Sequence, residues 1–367
     1  MSQNSLRVGI IGCGVIAKNH ALAFQAHPQV HVVGVVDIDI NRAQEFATQW
    51  NIAQAYSDVE ELLSSGIDAV TICTPHPTHE ALVLQAAAAG VHVMCEKPLS
   101  TDYQATQRMV AACDEAGVLL SGMFQRRWWP AAQEIKAAVT KNPAILGHVQ
   151  VALHRELSYY TKDAWRGSWD ADGGGVLMNQ AVHYIDLLLW FMGEVVEVSG
   201  RINSFKHAAN IEVEDSAVAT LSFASGAMAT LNLTTSATPS LGASVHVTTD
   251  KGSSLTLLEW PEGAEARLIT NGHGDEIESL PAYPHGVFPN VDLRTINDQH
   301  IGFHTKQIAN FVDAVLGEQE LLVDGPEATK ALRTLLAIYE SHRTGQPVKL
   351  SDAPWPTVVT VPDSVHI

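Results

Sequence analysis

The run Gly173-Gly174-Gly175-Val176-Leu177-Met178-Asn179-Gln180-Ala181-Val182-His183-Tyr184-Ile185-Asp186 carries the residue types best suited to chemistry. At about 100° per helical residue, Asn179, His183 and Asp186 fall within roughly 60° of one another. The other faces carry Val182, Ile185 and Leu189. A lone helical histidine most often packs in a core or sits on a surface. Three polar residues on one face of an otherwise apolar helix point instead to a site. The glycines would let a ligand or another backbone approach the start of this helix. Two further stretches fall where predicted strands end: Thr74-Pro75-His76-Pro77-Thr78-His79 and Cys95-Glu96-Lys97-Pro98. Ligands of open α/β sheets bind at that carboxyl edge. Read alone, Lys97 is a solvated loop lysine and His79 a packing residue at a helix start.

Gly12-Cys13-Gly14-Val15-Ile16-Ala17 reads GxGxxA, directly after a predicted strand and opening a helix. Gly12 permits the tight turn, Gly14 lets a pyrophosphate approach the backbone, and Ala17 allows close packing of helix on sheet. The free N–H groups of the helix start then face the phosphates. Asp37 ends the second predicted strand, where an acid accepts hydrogen bonds from ribose hydroxyls. Asp39 follows, with no arginine before Arg42. A 2′-phosphate would meet two carboxylates, so NAD is expected over NADP.

These residues need a scaffold, and the first third of the chain supplies one. Predicted strands at Arg7–Ile11, Val30–Val36, Asp68–Thr74, Val91–Cys95 and Val118–Gly122 alternate with helical segments. Ser57 with Glu60 forms a capping-box pattern, Thr78 opens a helix ending at Gly90, and Ser100 or Thr101 opens one ending at Gly117. The βαβα rhythm predicts a doubly wound parallel sheet. After about residue 124 the pattern changes to an α+β domain with a large, mostly antiparallel sheet. Its predicted strands are Val149–Leu153, Val195–Asn203, Ser216–Phe223, Ala227–Leu233, Val245–Thr249 and Ser254–Leu258, with helices at Pro130–Val139, His304–Leu316 and Glu327–Arg343. The expected domains are 1–123, 124–350 and a tail, 351–367. The segment 261–299 reads as an excursion or lid-like loop.

Composition narrows the function classes. Forty acids against 22 bases give a net charge of −18, which argues against a nucleic-acid binder and against docking on anionic membranes. No apolar run approaches the roughly 20 residues of a membrane span, and Met1–Leu6 does not read as a secretory signal. Cys13, Cys73, Cys95 and Cys113 form neither CxxC nor a metal spacing. They are expected to be buried thiols in a reducing compartment, with the cytoplasm the default. No metal centre is expected.

Taken together, these motifs resemble the Gfo/Idh/MocA oxidoreductases over nearly the whole chain. The resemblance rests on the GxGxxA loop, Thr74-Pro75 with His79, Glu96-Lys97-Pro98, Phe124-Gln125-Arg126-Arg127, Trp165-Arg166, the glycine-led helix, Asp215 and the Lys251-Gly252-Ser253 turn. It implies a Rossmann domain followed by an α/β domain whose open sheet makes homo-oligomer contacts, as a dimer or tetramer. It implies a cofactor set of Gly12, Gly14, Val15, Ile16, Asp37, Thr74, Pro75, His79, Glu96, Lys97, Gln125, Trp165 and Arg166. His183 would be the general base and Lys97 the contact to the reacting hydroxyl, with Asn179 beside them. The chemistry agrees: a neutral imidazole takes the hydroxyl proton near neutral pH, and an ammonium stabilises a developing alkoxide.

Many relatives place Asp where this chain has Asn179. The Asn-Gln-x-x-His version is similar to sugar 3-dehydrogenases acting on nucleotide-linked uronates, levoglucosan and simple glycosides. The expected reaction is oxidation of a secondary hydroxyl of a pyranose sugar, glycoside or cyclitol, with C3 as the pyranose position. Alternatives are an NAD-recycling glycoside-cleaving enzyme, an inositol dehydrogenase, a keto-sugar reductase and a non-catalytic NAD-binding protein.

Expected substrate contacts are Lys97, Arg126, Arg155, Tyr160, Asn179 and His183. From Arg126 to Arg166 the chain has seven bases and three acids, a positive island in an acidic protein. It reads either as a pocket for an anionic sugar or as bases that pair with nearby acids or meet the pyrophosphate. The pairing reading is preferred.

Overall fold

The computed structural model describes residues 5–161, 165–270 and 293–352. The chain divides into two units: residues 1–125 with 297–329, and residues 126–296 with 330–367.

In the first unit, strands β1 (Leu6–Ile11), β2 (Val30–Val36), β3 (Gln54–Tyr56), β4 (Ala69–Ile72), β5 (His92–Cys95) and β6 (Leu120–Gly122) form one sheet in the order β3-β2-β1-β4-β5-β6. Every pairing is parallel. Val8, Ile10, Val35, Val70, Ile72 and Val93 are fully buried, as expected of strands covered on both faces. The connecting helices are α1 (Ala17–Gln25), α2 (Ile40–Gln49), α3 (Val59–Leu63), α4 (His79–Ala88) and α5 (Tyr103–Ala116). Two caps differ from expectation. Asp58, not Ser57, accepts the amide of Glu60 at 2.8 Å and starts α3. Asp102, not Ser100 or Thr101, accepts the amide of Gln104 at 2.9 Å and starts α5. In each case a carboxylate one or two positions nearer the helix takes the orphan N–H. Strand order reverses between β1 and β4, and the loops leaving those strands and β5 carry Gly12, Thr74 and Lys97.

The second unit is built on eight strands. After α6 (Pro130–Lys141) come β7 (Ala144–Ala152), α7 (Leu157–Thr161) and the glycine-led helix. That helix is not uniform: Leu177–Ala181 is a π-turn and α8 runs Val182–Met192. Then follow β8 (Val195–Asn203), β9 (Ser216–Phe223), β10 (Met228–Thr234), β11 (Gly242–Thr249), β12 (Ser254–Glu259), β13 (Arg267–Thr270) and β14 (Val348–Lys349). The sheet order is β13-β12-β11-β7-β10-β9-β8-β14. Only β7 with β10 is parallel; the other pairings are antiparallel. Burial alternates along the strands, so one face holds Val149, Val151, Leu221, Leu231, Leu233, Val245 and Val247. α8 lies on that face: a Cβ at Gly147 of β7 would come 2.3 Å from the Met192 sulfur and 2.8 Å from Leu188.

Three helices remain: α9 (Leu293–Gln299), α10 (Ile301–Val315) and α11 (Gly325–Thr344). The division into two units differs from the expected block 124–350 in residues 297–329, which cluster with the first unit. The reason is apolar. Ile308, Phe311 and Val312 of α10 are buried in one cluster with Leu6, Val8, Phe24 and Met94, and full burial of each such side chain contributes roughly 1.5–3 kcal/mol. Within the expected excursion 261–299, β13 and α9 form at Arg267–Thr270 and Leu293–Gln299. Residues 271–292, and the tail from 353 onward, lie outside the described residues.

Candidate active site

The first unit carries a dinucleotide-binding edge. Gly12 has φ +90°, and a Cβ there would come 2.8 Å from Thr74 Cγ2 and 3.0 Å from the Cys73 carbonyl. Only glycine turns the chain this tightly against the end of β4. Gly14 is the opposite case: no atom lies within 4 Å of where its Cβ would be, and Gly14 and Val15 are exposed while Ile16 is half-buried. This open backbone before α1 fits a pyrophosphate. Asp37, nearly buried at the end of β2, accepts the Cys13 amide at 3.0 Å and the Asp39 amide at 3.0 Å. The Arg42 guanidinium lies 3.2 Å from its Oδ1. An ionised carboxylate has about four lone-pair sites, so Asp37 can brace the glycine loop and still receive ribose hydroxyls. The residues present therefore fit NAD.

Beside this edge, His79 is wholly buried. Its ring nitrogens lie 3.0 Å from the Pro98 carbonyl and 2.8 Å from the Thr74 carbonyl. It stitches the Thr74-Pro75 turn to the Lys97-Pro98 turn, and burial lowers its pKa. Glu96 is buried as well. One oxygen meets His20 Nε2 at 3.0 Å and the other accepts the Lys97 amide at 3.1 Å. Burial pushes the Glu96 pKa up, but the His20 hydrogen bond and the charges of His20, His304 and Lys97 outweigh it and hold the value at about 2. His20 is in turn tied to Thr71 Oγ1 at 2.7 Å, and His304 Nδ1 lies 2.9 Å from the His300 carbonyl. The ligand atoms of His20, Glu96 and His304 lie within 4.8 Å of one another, a grouping that could hold a metal ion. Lys97 is half-buried and Gln125 buried. The four cysteines are buried free thiols, and burial raises the pKa of Cys13 to about 12 and of Cys113 to about 11.

The second unit carries the helical part. His183 is buried, with 6% of its surface exposed, while Asn179 and Gln180 are half-buried. The Asn179 amide nitrogen donates to Asp172 Oδ1 at 2.9 Å and lies 3.2 and 3.3 Å from the Gly174 and Gly175 carbonyls. Gln180 donates to the Tyr159 hydroxyl at 2.9 Å, as Arg166 does at 2.6 Å. The Arg166 guanidinium also stacks over Tyr159 and Trp165. Glu214 caps the start of the helix, accepting the amides of Gly175 and Leu177, each at 2.9 Å, and the Tyr339 hydroxyl at 3.0 Å. Burial drives its pKa up to about 7 against the pull of those hydrogen bonds.

Several of the expected residues have protein partners. Asp186, placed by helical angles beside His183, grips Arg127 with both oxygens at 2.8 and 2.6 Å. Arg126 is buried against Glu259 and Tyr184, and Arg155 forms a two-pronged pair with Glu262. Tyr160 is buried with its hydroxyl 2.8 Å from Thr235 Oγ1. Of the expected substrate contacts, Arg126 and Arg155 are thus each paired with a buried acid, and Tyr160 is bonded to a threonine hydroxyl. Lys162 lies outside the described residues. Sequence reasoning does not single out Asp172, Glu214, His20 and His304. Asp172 stands directly before the glycine run and was the easiest to find; the others come to their partners only through tertiary structure.

Comparison with known proteins accords with this geometry. Residues 6–124 match the NAD-binding Rossmann-fold domain of the Gfo/Idh/MocA oxidoreductase family, and residues 146–350 match its C-terminal alpha/beta domain. The chain is 26% identical to D-glucoside 3-dehydrogenase of Escherichia coli over 373 residues, covering 95% of this chain and 99% of that protein. It is 30% identical over 225 residues to myo-inositol 2-dehydrogenase of Thermotoga maritima, covering 60% of this chain and 66% of that one. Among solved structures, the WlbA dehydrogenase of Bordetella pertussis, in complex with NADH and UDP-GlcNAcA, is 30% identical with a TM-score of 0.80, covering 96% of this chain and 100% of that one.

Proposed function

The chain belongs to the Gfo/Idh/MocA family of NAD-binding oxidoreductases, and on that premise we propose that it oxidises a secondary hydroxyl of a pyranose sugar, glycoside or cyclitol, at C3 in a pyranose. When bound, NAD supplies the hydride acceptor, nicotinamide C4. Gly12, Gly14, Val15, Ile16 and Asp37 would bind the dinucleotide, with Thr74, Pro75, Glu96, Gln125, Trp165 and Arg166 around it. His79 would hold the Thr74 and Lys97 turns together. His183 Nε2 takes the hydroxyl proton, and the Lys97 ammonium holds the oxygen as negative charge develops on it. Asn179 positions the hydroxyl-bearing ring. Arg126, Arg155 and Tyr160 shape the pocket through their buried pairs.

The observation that carries this reading is the polar stretch Asn179, Gln180 and His183 on a helix whose other residues, apart from Asp186 in its pair with Arg127, are apolar or aromatic and, except for Trp190, buried. It is supported by similarity to a glucoside 3-dehydrogenase and an inositol dehydrogenase. The exposed sheet face, with Leu146, Val218 and Met228 about half exposed, would make contacts between copies in a dimer or tetramer. No described helix is long and apolar enough to cross a membrane, and four free thiols suit a reducing cytoplasm.

The experiment is a panel of myo-inositol, glucose, alkyl glucosides, levoglucosan, uronates and nucleotide sugars scored by NADH formation, with the product read by NMR. A ring ketone supports the proposal and a lactone overturns it. Cleaved glycoside without accumulating NADH would identify the NAD-recycling reaction instead.

A further inference from the structure

From the start of the helix that bears His183 we infer that Glu214 is a positioning residue for the proposed oxidation: by holding three successive backbone amides it keeps the turn carrying Asn179 in its π form, and so fixes the angle between Asn179 and His183. This rests on the roles proposed above for those two residues. The Gly175 amide donates to one carboxylate oxygen of Glu214 and the Leu177 amide to the other, each at 2.9 Å. The Val176 amide between them donates to the Glu214 main-chain carbonyl at 3.1 Å.

The first amides of a helix have no acceptor within it, and a capping side chain ordinarily takes one of them. Here a single buried residue takes three, each through a different oxygen. The carboxylate cannot turn without releasing Gly175 or Leu177. Tyr339 of α11, itself wholly buried, braces it: the phenol donates at 3.0 Å to the oxygen that holds Leu177. Gly174 leaves room for that phenol, since a Cβ there would collide with its oxygen.

The hold is passed along the chain. The Gly175 carbonyl accepts the Asn179 amide at 3.0 Å, so the residue that Glu214 fixes on its N–H side carries Asn179 on its C=O side. Leu177, held by the other carboxylate oxygen, is the first residue of the π-turn Leu177–Ala181. Such turns are rare, single-turn insertions in α-helices, and a fixed contact at the first residue decides whether this one survives. Were it to relax to α geometry, the residues within it would rotate about the helix axis relative to those beyond it. Asn179 lies within the turn and His183 beyond it, so their relative angle would change.

The test uses full-length protein with NAD, and methyl glucoside and myo-inositol as substrates. The variants are Glu214→Gln, Glu214→Asp and Tyr339→Phe, with kcat, KM and melting temperature measured for each. Glu214→Gln sets an NH2 group against one of the two amides, and Glu214→Asp draws the carboxylate back by about 1.5 Å. Each should lose about tenfold or more in kcat, with KM for NAD unchanged. Tyr339→Phe leaves the amide bonds in place; it should lower the melting temperature but keep kcat within about threefold of the parent's. Should Glu214→Gln fail to fold, Glu214→Asp is expected to fold, because it keeps the charge and the main-chain bond to Val176. Folded Glu214 variants with the parent's kcat overturn the inference. So does a Glu214→Asp that stays unfolded, or a loss of kcat in Tyr339→Phe as large as in the Glu214 variants. His183→Ala in the same assay separates the failures: turnover that survives it overturns the proposed function, whereas its loss beside full turnover in the Glu214 variants overturns only the role of Glu214.

Discussion

The amide of Gly175 donates to the carboxylate of Glu214 over 2.9 Å, so the start of the helix bearing His183 is held by an acid from the entry to β9. Glycine is required at this meeting point, because a Cβ on Gly175 would lie 1.7 Å from the Glu214 carbonyl oxygen. Burial raises the Glu214 pKa from 4.5 to about 7. Between those values the folded chain keeps a proton that the unfolded chain has lost. Stability contributed at this site therefore falls as pH rises through that window, by about 1.4 kcal/mol per unit at most. Glu214→Gln should flatten this part of the pH dependence. Thermal melts from pH 4.5 to 8 check it; a variant whose slope matches the parent's would show that Glu214 does not titrate there.

On the proposed reading, Asp37 sets the choice of cofactor, with Arg42 beside it. The Asp37 carboxylate repels a 2′-phosphate and also engages Arg42 at 3.2 Å. Asp37→Ser removes the repulsion and releases a half-exposed guanidinium. The ratio of kcat/KM for NAD to that for NADP should fall at least about tenfold, equivalent to roughly 1.4 kcal/mol. Initial rates with each cofactor measure it, and an unchanged ratio would mean that another group reads the ribose.

Asp186 shares a helix with His183 but serves the fold. Its pair with Arg127 is almost completely buried. Removing one partner leaves the other charge uncompensated, which costs about 3–5 kcal/mol. Asp186→Ala should lower the denaturant midpoint substantially, while leaving the NAD dissociation constant of the remaining folded protein unchanged. A midpoint close to the parent's would contradict the structural role.

The parallel sheet was legible in sequence because its strands are short apolar runs between strong turn signals, and the glycine loop and Asp37 stood at the expected strand ends. The helix start and polar stretch at Asn179 and His183 were legible for the same local reason. What was not legible was pairing across the chain. Helical angles alone placed Asp186 with His183, and only the tertiary partner Arg127 shows where its charge goes. Glu214 and Asp172 act through contacts 39 and 7 residues away, the first beyond the reach of any local pattern. A helix at His304–Leu316 is expected from the sequence and is found at Ile301–Val315, but its membership in the first unit depends on which apolar surface accepts Ile308 and Phe311.

On the proposed function, His183 and Lys97 carry out an NAD-linked oxidation of a ring hydroxyl. The most direct measurement is steady-state NADH formation by the parent, Lys97→Ala and His183→Ala on the best substrate of the panel. NADH should accumulate with formation of a ring ketone, and kcat should fall about 100-fold or more in each variant. Undiminished turnover in either variant would contradict it.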